Sequence, residues 1–488
     1  MNIKRVMIAA PKSGSGKTGI TCALLKSLKN KRIKTVSFKC GPDYIDPMYH
    51  KNALGIPSYN LDTFFTGEKR TRSLFARNAS GFDFAVFEGV MGLFDGVGGI
   101  RSEGSSYNLA EVTGTPIILV IDAKGMGRSV IPEILGFKAY DKENLIKGVI
   151  LNRTSEGMFN ILKPLIEEEC GISALGFIPD MKDRAFSSRH LGLVTPDDTD
   201  NTDLVLEELT GYFEKNVSFE KLEEIAGSSE DIEESISETN RLSDKKIEDS
   251  SFDEQSSSNG KFENDKSDSN KPVIALAKDE AFCFIYEDNL MELKNAGAKI
   301  VFFSPLHDEC IPAEANGLIL PGGYPELHLK ELSENTSMLE SVRKAYEAKM
   351  PIFAECGGFM YLQKSIEDKN GEVYITTGVF DGNLKFMGKP VRFGYVSLKE
   401  KVPNFLKEGE EIKGHEFHYY DCDDNGSDVI ATKPFTGKSY EAVKDSDNIW
   451  AGFPHLYFPS ETVGLSVSGV RKRLRTLQAK IKNLEVER

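Results

Sequence analysis

The sequence predicts an α/β protein of two domains, each built on a mostly parallel sheet. Short apolar, β-rich runs alternate with intervals long enough for helical crossovers. A polar, acidic stretch interrupts that alternation in the middle, and 488 residues exceed one typical domain. With 40% hydrophobic residues, 30 Phe and 16 Tyr, the chain can fill two ordinary cores.

In the first half, Arg5–Ala10, Thr35–Phe38, Phe84–Phe87, Pro116–Ile121 and Val149–Leu151 read as buried strands, within a unit spanning residues 1–212. Residues 213–271 read as an acidic, Ser-rich disordered linker or insertion. Between Ser228 and Asn270, 13 acidic residues stand against 5 basic ones, which supplies over half of the chain's net charge of -15. Such a composition buries too little surface to offset ordering. The alternative there is an acidic helix within residues 219–236. Strand-like runs resume at Pro272–Ala277, Ile300–Phe303, Gly317–Leu320 and Pro351–Ala354, in a second unit spanning residues 272–470. Residues 471–488 are basic and read as a terminal helix.

The acidic balance disfavours nonspecific binding to nucleic acid or to an anionic membrane. No apolar stretch reaches the roughly 20 residues of a membrane span, and residues 1–10 lack a signal-peptide core. The seven Cys are scattered without CxxC pairs, which argues against a zinc site or a disulfide framework. A reduced, cytoplasmic enzyme is expected, with a homodimer left open.

Pro11-Lys12-Ser13-Gly14-Ser15-Gly16-Lys17-Thr18 follows the first strand and precedes a helical run. Such a loop turns backbone N–H groups toward phosphate, and Gly permits close approach. Gly14, Ser15 and Gly16 would form the cradle, Lys17 would reach the β- and γ-phosphates of ATP, and Thr18 would hold Mg2+. The first Gly of the usual spacing is replaced by Pro11, so the loop is a variant. Two acidic loops follow the next strands. One carries Asp43 and Asp46 in Pro42-Asp43-Tyr44-Ile45-Asp46-Pro47, the other Glu88 and Asp95 in Glu88-Gly89-Val90-Met91-Gly92-Leu93-Phe94-Asp95-Gly96. Ligands of open α/β sheets gather at the carboxyl ends of strands, so these loops should meet over the phosphates, where Mg2+ prefers a few carboxylates beside phosphate oxygens and water.

A second chemistry is written in Ala354-Glu355-Cys356-Gly357-Gly358. A cysteine between a buried strand and a helix start is a nucleophile elbow, because the helix N-terminus stabilises a thiolate. The backbone N–H groups of Gly357 and of Gly323, in Leu320-Pro321-Gly322-Gly323-Tyr324, are candidate oxyanion donors. A histidine should serve as base, and spacing alone does not choose among His415, His418 and His455.

The Pro42–Pro47 and Glu88–Gly96 stretches, with Ser188-Arg189-His190-Leu191-Gly192-Leu193, resemble the cobyrinic acid a,c-diamide synthase family. The resemblance implies an N-terminal sheet with helices on both faces, similar to dethiobiotin synthetase and MinD-type ATPases, and a C-terminal class I glutamine amidotransferase domain. It implies substrate activation or metal binding by Asp43, Asp46, Glu88 and Asp95, and it places Asn152 near the adenine. It selects His455 as the base. Many amidotransferases carry an orienting Glu two residues after that His, where this chain has Tyr457. The implied reaction is amidation of the a- and c-carboxylates of cobyrinic acid in cobalamin biosynthesis, through an acyl phosphate and ammonia released from glutamine. The same chemistry on Ni-sirohydrochlorin or hydrogenobyrinic acid is the near alternative. A MinD/ParA-like ATPase switch is the distant one.

Overall fold

The computed structural model describes residues 3–181, 196–232, 271–406 and 408–460. The Ser188–Leu193 motif, most of the acidic stretch and residues 471–488 lie outside them. The first domain carries seven strands: β1 (Lys4–Ala9), β2 (Thr35–Cys40), β3 (Ser58–Leu61), β4 (Phe84–Glu88), β5 (Ile117–Asp122), β6 (Ile146–Asn152) and β7 (Ser173–Ile178). All pair in parallel in the order β3-β2-β4-β1-β5-β6-β7. Their side chains are buried almost throughout, as a sheet covered on both faces requires. The crossovers include α1 (Lys17–Asn30), α2 (Ile45–Asn52), α3 (Thr63–Asn78), α4 (Ser106–Val112), α5 (Val130–Tyr140) and α6 (Glu156–Leu165).

This domain extends beyond the boundary expected from sequence. Helices α7 (Pro196–Asn216) and α8 (Phe219–Gly227) close one face of the sheet. Phe213, Val217, Leu222, Ile225 and Ala226 share a core with Val6 and Ile8 of β1. Residues 213–232 are therefore part of the first domain and not of a linker. Helix α8 falls within the acidic helix given above as the alternative for residues 219–236, and its Leu222, Ile225 and Ala226 lie at helical spacing on one face. Arg5, wholly buried in β1, donates to the carbonyls of Thr113, Gly114 and Glu230 and ties the end of this segment to the sheet.

The second domain is more elaborate than its four apolar runs suggested. Its main sheet contains β8 (Val273–Ala277), β9 (Lys299–Phe303), β10 (Gly317–Leu320) and β11 (Ile352–Glu355), around which pack α9 (Glu287–Asn295), α10 (Leu329–Glu334), α11 (Thr336–Glu347) and α12 (Gly357–Tyr361). Two smaller sheets follow. One contains β12 (Ser365–Glu367), β13 (Val373–Ile375), β14 (Asn383–Phe386) and β17 (Tyr420–Cys422), the other β15 (Arg392–Glu400), β16 (Ile412–His418), β18 (Val429–Thr432) and β19 (Ser439–Ala442). The chain returns to the main sheet through β20 (Lys444–Asp445) and β21 (Ile449–Gly452), then crosses at once to the antiparallel sheet as β22 (His455–Leu456). That crossing places His455 opposite His415 and keeps it near the end of β11, which pairs with β21.

The domains share buried surface. Tyr286 and Tyr457 of the second lie in the same apolar cluster as Tyr44, Phe64 and Phe65 of the first. Asp288, 1% exposed, accepts hydrogen bonds from Arg77 (2.7 Å), Asn78 (2.8 Å) and Tyr457 (2.8 Å). A buried carboxylate is tolerated because each oxygen is satisfied. Tyr395 donates to Asp62 (2.6 Å) and Lys413 to the Phe64 carbonyl (2.6 Å).

Candidate active site at the domain junction

The phosphate loop leaves the carboxyl end of β1 and enters α1 through Gly16, whose φ of 98° suits glycine. A Cβ at Gly16 would stand 2.2 Å from the Asn152 side-chain nitrogen, so both geometry and packing require glycine. Asn152 donates to the Ser15 carbonyl (2.9 Å), and its side-chain oxygen accepts from the Arg153 N–H (3.0 Å). Its amide thus buttresses the loop from the end of β6. Ser15 closes the turn by donating to the Lys12 carbonyl (3.1 Å). Lys17 donates to the carbonyls of Lys12 (3.2 Å) and Met91 (2.5 Å), lying across the mouth of the loop. Burial, then the charge of Lys39, lowers its ammonium to about 8.

The carboxylates converge on a residue that the sequence did not single out. Lys39, at the end of β2 and 3% exposed, lies 2.5 Å from Asp46, 3.1 Å from Glu88 and 3.9 Å from Asp43. Burial opposes its charge, but Asp46 and Glu88 hold the ammonium well above its ordinary range. Burial likewise opposes ionisation of Glu88, yet Lys39, His50 and Thr18 hold it well below the carboxylate range. For Asp46, burial and then the Glu88 charge push the carboxyl well above its usual range. The cluster is therefore an ion pair, Lys39 with Glu88, beside a carboxyl that favours its proton. His50, also missed from sequence, places Nε2 3.3 Å from Glu88 and Nδ1 2.9 Å from the Ser37 hydroxyl.

Thr18 donates to Glu88 at 2.6 Å, so a hydroxyl and a carboxylate adjoin the phosphate loop. Among the described residues no group of three or more His, Cys, Asp or Glu forms a metal site by itself. The Thr18–Glu88 pair suits Mg2+, which takes most of its oxygen ligands from phosphate and water. Asp43 opens α2 by accepting from the N–H groups of Ile45 (2.9 Å) and Asp46 (3.2 Å), while its other oxygen faces Lys39. Asp95 accepts from the Gly92 N–H (3.0 Å) and shapes its own loop.

At the other end of the junction, Cys356 sits between β11 and α12 with φ 44° and ψ -102°. A non-glycine residue held there is strained by about 1–3 kcal/mol, a cost retained where it aims a side chain. The Cys356 N–H is anchored on the Gly452 carbonyl (2.8 Å), and a Cβ at Gly358 would meet the Leu320 carbonyl at 2.0 Å. Gly357 and Gly323 are in contact, a Cβ on the former standing 3.1 Å from the latter's nitrogen. Burial, then the Glu326 charge, pushes the Cys356 thiol far above its ordinary range, so it needs a base. His455 is 3% exposed, and burial, then His415 and His418, lowers it to about 3. A neutral imidazole is available to accept a proton. His415 and His418 both line the cavity described next. Tyr457 serves docking: its hydroxyl donates to Asp288 (2.8 Å) and the Asn60 carbonyl (3.2 Å).

One cavity of about 620 Å3 lies between the domains, lined by Asp43, Tyr44 and Met91 from the first and by Gly323, Cys356 and His415 from the second. A phosphate loop in one domain, and a cysteine elbow that opens on a cavity shared with the loops beside it, define a glutamine-hydrolysing carbon–nitrogen ligase.

Comparison with known proteins agrees with that class. A profile of the CobQ/CobB/MinD/ParA nucleotide binding domain matches residues 6–193, and one of the CobB/CobQ-like glutamine amidotransferase domain matches residues 273–463. A cobyrinate a,c-diamide synthase of Caldanaerobacter subterraneus subsp. tengcongensis is 39% identical over 92% of this chain and 94% of its own length. Those of Saccharolobus solfataricus and Listeria innocua are 37% and 34% identical, over 93% and 96% of this chain and 98% and 100% of theirs. The chain belongs to the cobyrinate a,c-diamide synthase family.

Proposed function

We propose that this chain amidates the a- and c-carboxylates of cobyrinic acid in the cytoplasm, consuming ATP and glutamine. The cavity joining Asp43 to Cys356 carries the reading, because it gives ammonia a path from one chemistry to the other. A free carboxylate is a poor electrophile, so it is first made an acyl phosphate by transfer of the γ-phosphoryl group of ATP, with release of ADP. Lys17 and the loop N–H groups hold the phosphates. Mg2+ neutralises phosphate charge when bound, and Thr18, Asp43 and Glu88 would hold it. Lys39, already between carboxylates, is placed to offset charge on an acceptor carboxylate entering beside Asp46.

In the second domain, the Cys356 thiol passes its proton to His455 and its sulfur attacks the amide carbon of glutamine. His455 returns the proton to the departing nitrogen, which leaves as ammonia, and water releases glutamate from the thioester. Gly323 and Gly357 would steady the oxyanion of each step. Ammonia then attacks the acyl phosphate and phosphate departs. The rim of the cavity includes exposed Phe393, Phe417 and Tyr419, an apolar wall suited to one face of a corrin ring. A nucleotide switch would have no use for a cysteine elbow facing that space.

Purified protein supplied with ATP, Mg2+, glutamine and cobyrinic acid should yield the diamide, followed by mass. Cys356→Ser should abolish glutamine-dependent amidation and keep the ammonia-driven reaction. Loss of both reactions in the folded variant would sink the ammonia-transfer scheme.

A further inference from the structure

The glutaminase centre has a nucleophile and a base, but Tyr457 stands where many amidotransferases carry an orienting Glu and is engaged with Asp288 and the Asn60 carbonyl. A carboxylate reaches the same imidazole from another element. Glu355 ends β11, immediately before Cys356, and is 5% exposed. Its Oε1 accepts the Leu456 N–H at 2.7 Å, and its Oε2 lies 3.9 Å from His455 Nδ1. That Nδ1 is buried and has no hydrogen-bond partner among the described residues. The bond to Leu456 fixes the carboxyl on the strand that carries His455, so acid and base keep one orientation.

We propose that Glu355 is the positioning acid of the glutaminase centre, holding His455 through Nδ1 and stabilising the imidazolium formed when Cys356 yields its proton. The inference rests on the reading of Cys356 as nucleophile and His455 as base. It adds the acid partner, supplied from the residue before the nucleophile and not from beyond the base.

At 3.9 Å the resting contact is longer than a hydrogen bond, as is common before substrate tightens a catalytic site. His455 faces His415, His418 and Tyr44, while Glu355 faces Tyr44, Tyr286 and Cys356. None of these groups supplies a negative charge at rest that could balance an imidazolium. Burial raises the Glu355 carboxyl to about 8, so the pair rests largely neutral near pH 7. Ionised Glu355 accepts Nδ1–H, which leaves the other ring nitrogen free to take the thiol proton. The ensuing imidazolium then lies against a carboxylate, and its proton passes to the departing ammonia. Glutaminase turnover should therefore rise with pH through about 8.

Glu355→Gln tests this, because the amide oxygen can still accept the Leu456 N–H while the charge is lost. The expected result is a glutaminase kcat about 10²-fold lower, with KM for glutamine little changed and the alkaline rise absent. Ammonia-driven amidation should match the wild type, and Glu355→Asp should recover part of the glutaminase rate. Wild-type kcat and pH profile in Glu355→Gln would overturn the proposal. So would equal loss of the glutamine- and ammonia-driven reactions, which marks a structural role. Glutamate release and labelling of Cys356 by a glutamine-like alkylating agent are read without acceptor, so a wrong acceptor would not disturb them. A wild-type protein that neither releases glutamate nor is labelled would remove the underlying glutaminase reading, and this proposal with it.

Discussion

The ring of Tyr44 lies 5.3 Å from the imidazole of His455, so the turn between Asp43 and the start of α2 touches the base of the opposite domain. Tyr44 also stacks on Phe284 (4.8 Å, 6°) and packs at a tilt against Tyr286 (4.3 Å, 31°), and it is 8% exposed. A residue between two carboxylates of the nucleotide half is thus part of the wall that shapes the glutaminase half. Each aromatic pair contributes about 0.5–1.5 kcal/mol beyond area burial. Tyr44→Ala should therefore loosen the junction, and glutamate release should exceed amide formation several-fold as ammonia escapes. Tyr44→Phe keeps the ring and should keep the ratio near one. Simultaneous assay of glutamate and amide checks both.

Lys39 offers a second test. Lys39→Met leaves Glu88 buried without its cation, and breaking such a pair costs about 3–5 kcal/mol. ATP-dependent amidation should be lost with either nitrogen source, while glutaminase activity survives. The sign of the pH effect follows from Glu88, whose carboxyl is held below its ordinary 4.5. Its ion-pair stabilisation is full above that value and is lost as pH falls through the lower folded pKa. The gap in thermal midpoint between wild type and variant should be widest near pH 7 and narrow below about 4.5.

The base can be displaced without touching it. A Cβ at Gly322 would stand 2.3 Å from His455 Cε1, closer than any real contact. Gly322→Ala should therefore push the imidazole aside and lower glutaminase kcat by about 10²-fold. Ammonia-driven amidation should persist, because the phosphate loop and its carboxylates lie in the other domain. An unchanged glutaminase rate would show that the ring is free to move.

How much of this was legible in the sequence depends on whether a residue's role is local. The apolar runs at β1, β2, β4, β5 and β6, and at β8, β10 and β11, form parallel strands because a strand buried on both faces must be apolar throughout, while the run at β9 forms the sheet's edge and is half exposed. Strand β3 gave no such signal: it is only SYNL, and its buried Asn60 is satisfied by the carbonyls of Gly41 (2.9 Å) and Asp43 (2.6 Å). The antiparallel strands alternate buried and exposed positions, and β16 buries the polar Glu416 and His418, which hid their period. Phosphate loop and elbow were visible because each is a short contiguous device. Lys39, His50 and Glu355 were not, since each acquires its role from a partner brought by the fold.

The buried histidines make a last prediction about pH. Burial lowers both His415 and His455 from 6.5 to about 3, with Lys433 adding to the effect at His415 and the neighbouring imidazoles at His455. In the unfolded chain each binds its proton near 6.5, so below that pH the unfolded state holds more protons than the folded one. The stability these two sites allow is thus full above about 6.5 and declines as pH falls toward about 3. Glu355 acts in the opposite sense: its carboxyl is raised from 4.5 to about 8, so its contribution is full below about 4.5 and is lost as pH rises through about 8. The second domain should accordingly be most stable at mildly acidic pH, with a shoulder on each side that a single substitution removes. His415→Gln should flatten part of the acid limb, and Glu355→Gln should flatten the alkaline one, in thermal midpoints measured from pH 4 to 9. An acid limb unchanged in His415→Gln would mean that this imidazole takes up its proton in the folded state as readily as in the unfolded one.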